Sequence, residues 1–182
     1  MHKLLISLSL KLNLLATKRN ILILLAIWIV IQVILISADN FIKAESSGQG
    51  VLDLAFGFSA ETAYSEHLDK YSEAARSLYL KVECLDLLYP ICYGLLFSCL
   101  ISLGFSNTKW HSLNLLPIIT IFFDYLENIG IFSMLLSYPE KLVFMATWAS
   151  VFSAIKWIFV VCTILAILAS LAKIAITKFV RS

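Results

Sequence analysis

Long apolar runs make up most of this chain and are separated by shorter polar segments. A transmembrane helix needs roughly 17–25 predominantly apolar residues. Four segments meet or approach that length: residues 21–37, 78–103, 113–136 and 142–174. The pattern therefore predicts an all-α, polytopic membrane four-helix bundle, which forms a single membrane domain over residues 1–182.

A polar segment, residues 38–77, separates the first two spans. The Ser- and Gly-rich stretch 46–50 predicts a turn, and Ser59 has the side chain of a helix N-cap. From Tyr64 to Leu78, apolar residues recur at steps of three or four. This spacing predicts an amphipathic helix that begins at Ala60 and extends the second span.

The charges of the connecting segments predict the orientation. Lys and Arg, without Asp or Glu, precede the first span, lie between the second and third, and follow the fourth, whereas segment 38–77 is acidic. By the positive-inside rule both termini are cytoplasmic and segment 38–77 is exoplasmic. We expect residues 3–16 to form a short helix on the cytoplasmic face of a bacterial cytoplasmic (inner) membrane.

Composition narrows the class of protein further. Hydrophobic residues make up 60% of the chain and charged residues 14%, with a mean hydropathy of +0.90. The four cysteines lie in the predicted spans without a C-x-x-C pair, and the three histidines lie outside the spans. We therefore predict a lipid-bilayer protein with no nucleic-acid partner and no metal site, and the pattern identifies no cofactor.

Ionisable residues inside the apolar spans are the strongest functional signal. Asp86, Asp124, Glu127 and Lys156 lie within spans, and Glu83 lies at the edge of one. Each charge costs about 2.5–3.5 kcal/mol at mid-membrane unless it meets a partner or water. These side chains are therefore expected to meet one another.

Helical geometry places them on shared faces. At 100° per residue, each of spans two, three and four has one polar face, and the charges lie at similar depths, roughly 12–21 Å below the exoplasmic ends of their helices. We predict one cavity open to the exoplasmic side, and expect Pro90 and Pro117 to kink the helices beside it. The predicted lining residues are Asp86, Tyr89, Tyr93, Asp124, Glu127, Asn128 and Lys156, with Arg76, Tyr79 and Glu83 at the mouth.

The charges in this predicted cavity do not balance. Four carboxyls face two cations, Lys156 and Arg76, so at least two carboxyls are expected to be protonated or matched by a bound cation. The nearest partner expected for Lys156 is Asp124 or Glu127. Two interpretations stay open: a structural ion-pair network that fixes helix packing, and a functional cavity.

Two motifs, Asp86-x-x-Tyr89-Pro90-x-x-Tyr93-Gly94 and Asp124-x-x-Glu127-Asn128, carry a resemblance. With these D-x-x-Y-P-x-x-Y-G and D-x-x-E-N strings, the chain resembles an uncharacterised family of small bacterial four-span integral membrane proteins. The resemblance covers roughly residues 50–160. It implies a fold and a polar site without implying an activity.

Three functions fit these observations. The first is a protein that binds or transports a small cation, a proton or an amphipathic ligand. The second is a small intramembrane enzyme that modifies a lipid or isoprenoid with paired carboxyl groups as acid and base. The third is a structural or assembly subunit whose polar face pairs with a protein partner or with a second copy in a homo-oligomer.

Overall fold

The structure, a computed structural model, describes residues 2–181, and side chains from 3 to 180. All regular secondary structure in this part of the chain is helical. The α-helices are α1 (His2–Leu15), α2 (Lys18–Ala44), α3 (Ala60–Thr62), α4 (Glu73–Asp86), α5 (Tyr89–Phe105), α6 (Leu116–Ser137) and α7 (Val143–Arg181). Shorter helical turns cover Leu52–Leu54 and His111–Leu115 as 3₁₀ helices and Ala63–Leu68 as a π-helix.

Three helical stretches in the described residues are long and apolar enough to cross a membrane: Lys18–Ala44, His111–Ser137 and Val143–Val180. The pair α4 and α5 passes the same test only if it counts as one interrupted span, which would raise the number to four. Three or four such helices indicate a multi-pass membrane protein.

The second span differs from the continuous helix expected over 78–103. Helix α4 ends at Asp86 and α5 begins at Tyr89. Pro90 explains the interruption, because it lacks an N–H and disfavours helical backbone at the residue before it, whereas the first turn of a new helix tolerates it. The bend expected at Pro90 takes the form of this break between two helices. Pro117 lies in the first turn of α6, where a kink within a helix was expected.

The amphipathic helix expected to run from Ala60 into the second span is also interrupted. Ser59 is the predicted N-cap, since its Oγ accepts a hydrogen bond from Thr62 N–H at 2.9 Å. The helical stretch ends at Leu68, and Ser72 caps a new helix by accepting from Ala75 N–H at 3.1 Å. The side chain of Ser72 thereby satisfies a backbone donor that a continuous helix would have bonded to a carbonyl.

The chain divides into two compact units. Unit 1 comprises Met1–Trp28, Ile91–Ile121 and Ile158–Ser182, and unit 2 comprises Ile29–Pro90 and Phe122–Trp157. In unit 1, α1 packs on the 3₁₀ helix His111–Leu115. Close helix contact in this unit requires Gly104, because a Cβ there would lie 2.7 Å from the backbone oxygen of Ser170.

In unit 2 the polar segment after α2 is fixed along one face of α7. Ser150 Oγ accepts from Phe58 N–H at 2.8 Å, Ser153 Oγ donates to the carbonyl of Ala55 at 2.6 Å, and Lys156 Nζ donates to the carbonyl of Asp53 at 3.1 Å. Residues three apart on a helix share a face, so the three side chains bond successive parts of the segment. The segment therefore packs inside the unit, with Leu52 fully buried.

Candidate functional site

Lys156 occupies the centre of a buried set of charges in unit 2. Its ammonium group forms ion pairs with Glu127 and, at 3.5 Å, with Asp124. Glu127 is fully buried and Lys156 is 7% exposed. The expectation that Lys156 pairs with Asp124 or Glu127 is confirmed, and the structure pairs it with both, because residues three apart on α6 present their carboxyls to the same side.

A third acidic residue, Asp53, reaches the same lysine from the polar segment. Its carbonyl accepts the hydrogen bond from Lys156, and its Oδ2 accepts one from the hydroxyl of Tyr79 at 2.9 Å. Tyr79 in turn accepts from Leu52 N–H at 2.8 Å. Burial raises the pKa of Asp53, although the Lys156 charge and the Tyr79 hydrogen bond act in the opposite direction.

Asp53 is absent from the residues predicted to line the cavity. By sequence it belongs to the acidic segment 38–77, whereas the structure buries its Oδ1 away from solvent. A signal was present: Asp53 lies between Leu52 and Leu54 within an apolar stretch, unlike the other acidic residues of the segment.

Asp86 and Asn128 form the next part of the site. Asn128 Nδ2 donates to Asp86 Oδ2 at 2.5 Å, which joins the end of α4 to α6. Leu87 follows Asp86 in the chain, and its carbonyl accepts a hydrogen bond from the hydroxyl of Tyr125 at 2.7 Å. The break between α4 and α5 thus leaves a carbonyl free for a side-chain donor.

Glu83 lies one turn before Asp86 on α4 and is 2% exposed. It interacts electrostatically with Asp53, Asp86 and Glu127, and with Lys156. We call the set Asp53, Glu83, Asp86, Asp124, Glu127 and Lys156 the charge cluster. Among the described residues it combines five carboxyls with one ammonium group.

The remaining predicted residues have different surroundings. Arg76 donates to the carbonyls of Leu68 and Tyr71 and lies 4.3 Å from the centre of the Tyr138 ring. Tyr79, expected at the cavity mouth, is fully buried against Asp53. Arg76 therefore stabilises the turn between α3 and α4.

The two tyrosines of the first motif fall in different units. The Tyr89 hydroxyl donates to Gln32 Oε1 at 2.7 Å in unit 2. Tyr93 belongs to unit 1, where its ring lies 5.6 Å from that of Phe97. A cavity shared by both tyrosines and the charge cluster stays a prediction.

No group of three or more His, Cys, Asp or Glu side chains within residues 2–181 has the arrangement of a metal site. What the geometry provides is a set of acidic groups in mutual electrostatic contact around one lysine. Such a set can hold exchangeable protons, or neutralise a ligand that carries its own positive charge.

Comparisons of the chain with protein-family models, curated proteins and solved structures gave no match. The resemblance to the four-span family accordingly stays a prediction.

Proposed function

We propose that this protein is a membrane-embedded binding or transport protein for a proton or a cationic ligand, with the charge cluster as its site. The observation that carries the proposal is the excess of acid: the charge cluster contains five carboxyls and one ammonium group, that of Lys156. Fully ionised, the cluster would have a net charge of about −4, which a low-dielectric environment strongly disfavours.

A structural ion-pair network does not need this excess. One acid for each base gives the best Coulombic compensation, and every additional buried carboxylate adds desolvation and repulsion. Here the five acids come from three places in the chain, namely Asp53 in the polar segment, Glu83 and Asp86 on α4, and the α6 pair. Protons or a cation must therefore accompany the cluster, and their exchange is the proposed activity.

Infrared spectroscopy of the purified protein tests this proposal. At pH 7, in a buffer without small metal cations, we expect a carbonyl stretching band from protonated carboxyl groups that exchanges in D₂O. Asp86→Asn and Glu127→Gln should each weaken the band while the protein stays folded by circular dichroism. Glu66→Gln, at an exposed position, is the matched control. A spectrum without the band, or a band that both variants leave unchanged, would contradict the proposal.

Transport and binding are separable in proteoliposomes that enclose a pH-sensitive dye. A transporter should accelerate the decay of an imposed pH gradient, and Asp86→Asn should abolish the acceleration. A protein that only binds should leave the decay at the rate of empty liposomes while it still shows the infrared band.

We further propose a four-span bundle in the bacterial cytoplasmic membrane, with α4 and α5 together as the second span and both termini in the cytoplasm. The basic connecting segments support this orientation. Ser47 is exposed in the turn after α2, so Ser47→Cys should react with a membrane-impermeant maleimide in intact cells above the labelling of the parent chain. If Ser47→Cys reacts only after permeabilisation, the orientation is the opposite of the one proposed.

A further inference from the structure

Charged side chains are divided unequally between the two units. All 12 Asp and Glu residues of the chain lie in the residue ranges of unit 2, and unit 1 has none. Unit 1 has eight of the 14 Lys and Arg residues, and unit 2 has the other six. The side chains of unit 1 therefore carry only positive charge, and no acidic side chain of the same unit balances it.

Most of these cations belong to one end of unit 1. Here α1 packs on the 3₁₀ helix that precedes α6, and Asn114 of that helix donates to the Ser9 carbonyl and to Ser102 Oγ near the end of α5. Helix α7 reaches the same end, because Lys173 Nζ donates to the carbonyl of Gly104 at 2.6 Å. We call the cations carried by these elements and by the start of α2 the basic end: Lys3, Lys11, Lys18, Arg19, Lys109 and Lys173.

The outer face of α1 combines positive charge with apolar surface. Ser9 and Leu12 are buried on the side of the 3₁₀ helix. Leu4, Lys11 and Leu14 share the opposite face, since they are spaced by seven and three residues. The two leucines are 72% and 79% exposed, and Lys11 is exposed beside them. A helix face that mixes leucine with lysine is typical of helices that lie at a membrane surface.

Lys109 and Trp110 form a second contact surface of this kind. Trp110 is 56% exposed, and the ammonium group of Lys109 lies 5.5 Å from the centre of its ring. Tryptophan is enriched at the level of lipid headgroups, and lysine there extends its charge towards the phosphates. Trp110 directly precedes the 3₁₀ helix on which α1 packs, so the two surfaces belong to the same end of the unit.

We propose that the basic end of unit 1 is a docking surface for anionic phospholipids of the membrane that holds the protein. Its cations bind the phosphate groups, and the exposed leucines of α1 contact the adjoining acyl chains. A second copy of this surface would bring like charges together, and a nucleic acid would leave the leucines in water, so anionic lipid fits both features. The proposal is independent of the charge cluster and of the function proposed for it.

Trp110 provides a local readout, because bromine on an acyl chain quenches the fluorescence of a nearby tryptophan. The protein is reconstituted in vesicles of equal amounts of phosphatidylglycerol and phosphatidylcholine, with bromine on one lipid or on the other. The quenching that Trp110→Phe removes belongs to Trp110. Each Lys or Arg at an anionic surface favours an anionic lipid about fivefold, so brominated phosphatidylglycerol should show a preference of at least about fivefold at Trp110.

A double variant and a salt titration test the cause of this preference. Lys11→Gln with Lys109→Gln removes two exposed charges of the basic end and should remove at least half of the preference. Lys70→Gln with Lys81→Gln, at exposed positions of unit 2, is the matched control and should leave it unchanged. Each protein is compared with its own fluorescence in unbrominated lipid. Raising the salt from about 0.1 M to about 1 M shortens the Debye length from about 10 Å to about 3 Å, so the preference of the parent should also fall.

Equal quenching of Trp110 by the two brominated lipids would overturn the proposal. A preference that survives both the double variant and high salt would do the same, since its cause would not be the charge of the basic end. If neither lipid quenches Trp110, this surface faces water or another protein, and the proposal is wrong.

Discussion

A buried polar cluster lies in each unit, and the two clusters differ in kind. In unit 1, the cluster is built from hydroxyl, amide, imidazole and backbone groups around Asn114, whose Nδ2 donates to the Ser9 carbonyl, Asn13 Oδ1 and Ser102 Oγ, each at 3.0 Å. Ser9 Oγ also lies 2.8 Å from Nδ1 of His111. In unit 2, the charge cluster consists mainly of carboxyls.

The amide cluster of unit 1 connects α1 to residues 102–114 through hydrogen bonds between dipoles. Asn114 Oδ1 has no partner among the described residues, but the groups of this cluster are neutral, so they leave no charge to be balanced, and their hydrogen bonds hold α1 in one packing arrangement. The charge cluster cannot reach that condition with its own residues, because its acids outnumber its base. The two clusters therefore differ in charge balance: a cluster of neutral groups needs no counter-ion, whereas an excess of acids over bases needs protons or a cation.

The largest effect is expected from Lys156→Met, which removes the only ammonium group of the charge cluster. Breaking a buried ion pair from one side costs about 3–5 kcal/mol, because the partner charges remain buried. Denaturant unfolding in detergent at pH 7 should show a loss of this size. Lys81→Met, at an exposed position on α4, is the matched control and should change the free energy of unfolding little. A Lys156→Met protein as stable as the parent would contradict the central role given to this lysine.

A smaller effect is expected from Asn114→Leu in unit 1. The substitution removes a donor that serves three acceptors, and neutral buried groups left unpaired cost about 1–3 kcal/mol. Unfolding should report this loss, while the infrared band assigned to the charge cluster should be unchanged. Asn107→Leu, at an exposed position, is the control. A change in the carboxyl band would show that the two clusters are energetically dependent on each other.

The smallest effect is a pH dependence that Asp53 confers on stability. Its folded-state pKa lies above the ordinary value of 3.8, so above pH 3.8 the folded protein retains a proton that the unfolded chain has lost. The free energy of unfolding then falls as the pH rises through this window. Asp53→Asn should remove that decline. The measurement is the difference in the free energy of unfolding between parent and variant as a function of pH.

Asp69 provides the contrast with Asp53. The hydrogen bond from Lys141, at 2.7 Å, lowers the pKa of Asp69 below its ordinary value of 3.8. The contribution of Asp69 to the free energy of unfolding is present above pH 3.8 and is lost as the pH falls through the folded-state pKa of Asp69. Asp69→Asn should therefore give a difference curve of opposite slope. Equal slopes for the two variants would contradict the burial of Asp53.

The sequence alone determined the class of protein. Apolar runs of transmembrane length require backbone groups to be bonded within helices, so an all-helical chain with several candidate spans followed directly. The same logic identified Lys156 and its partners Asp124 and Glu127, because a charge inside an apolar run must find a partner and helical spacing limits the choice.

Tertiary structure decided what joins these charges. Asp53 reaches Lys156 only because Ser150, Ser153 and Lys156 bond the polar segment along α7, over 92 to 103 positions of sequence separation. The breaks at 69–72 and 87–88 have a local cause instead, because side-chain caps and proline compete there with continuation of the helix. Periodicity reports which face of a helix is polar. It contains no information on which distant backbone lies against that face, because this depends on the packing of the whole unit.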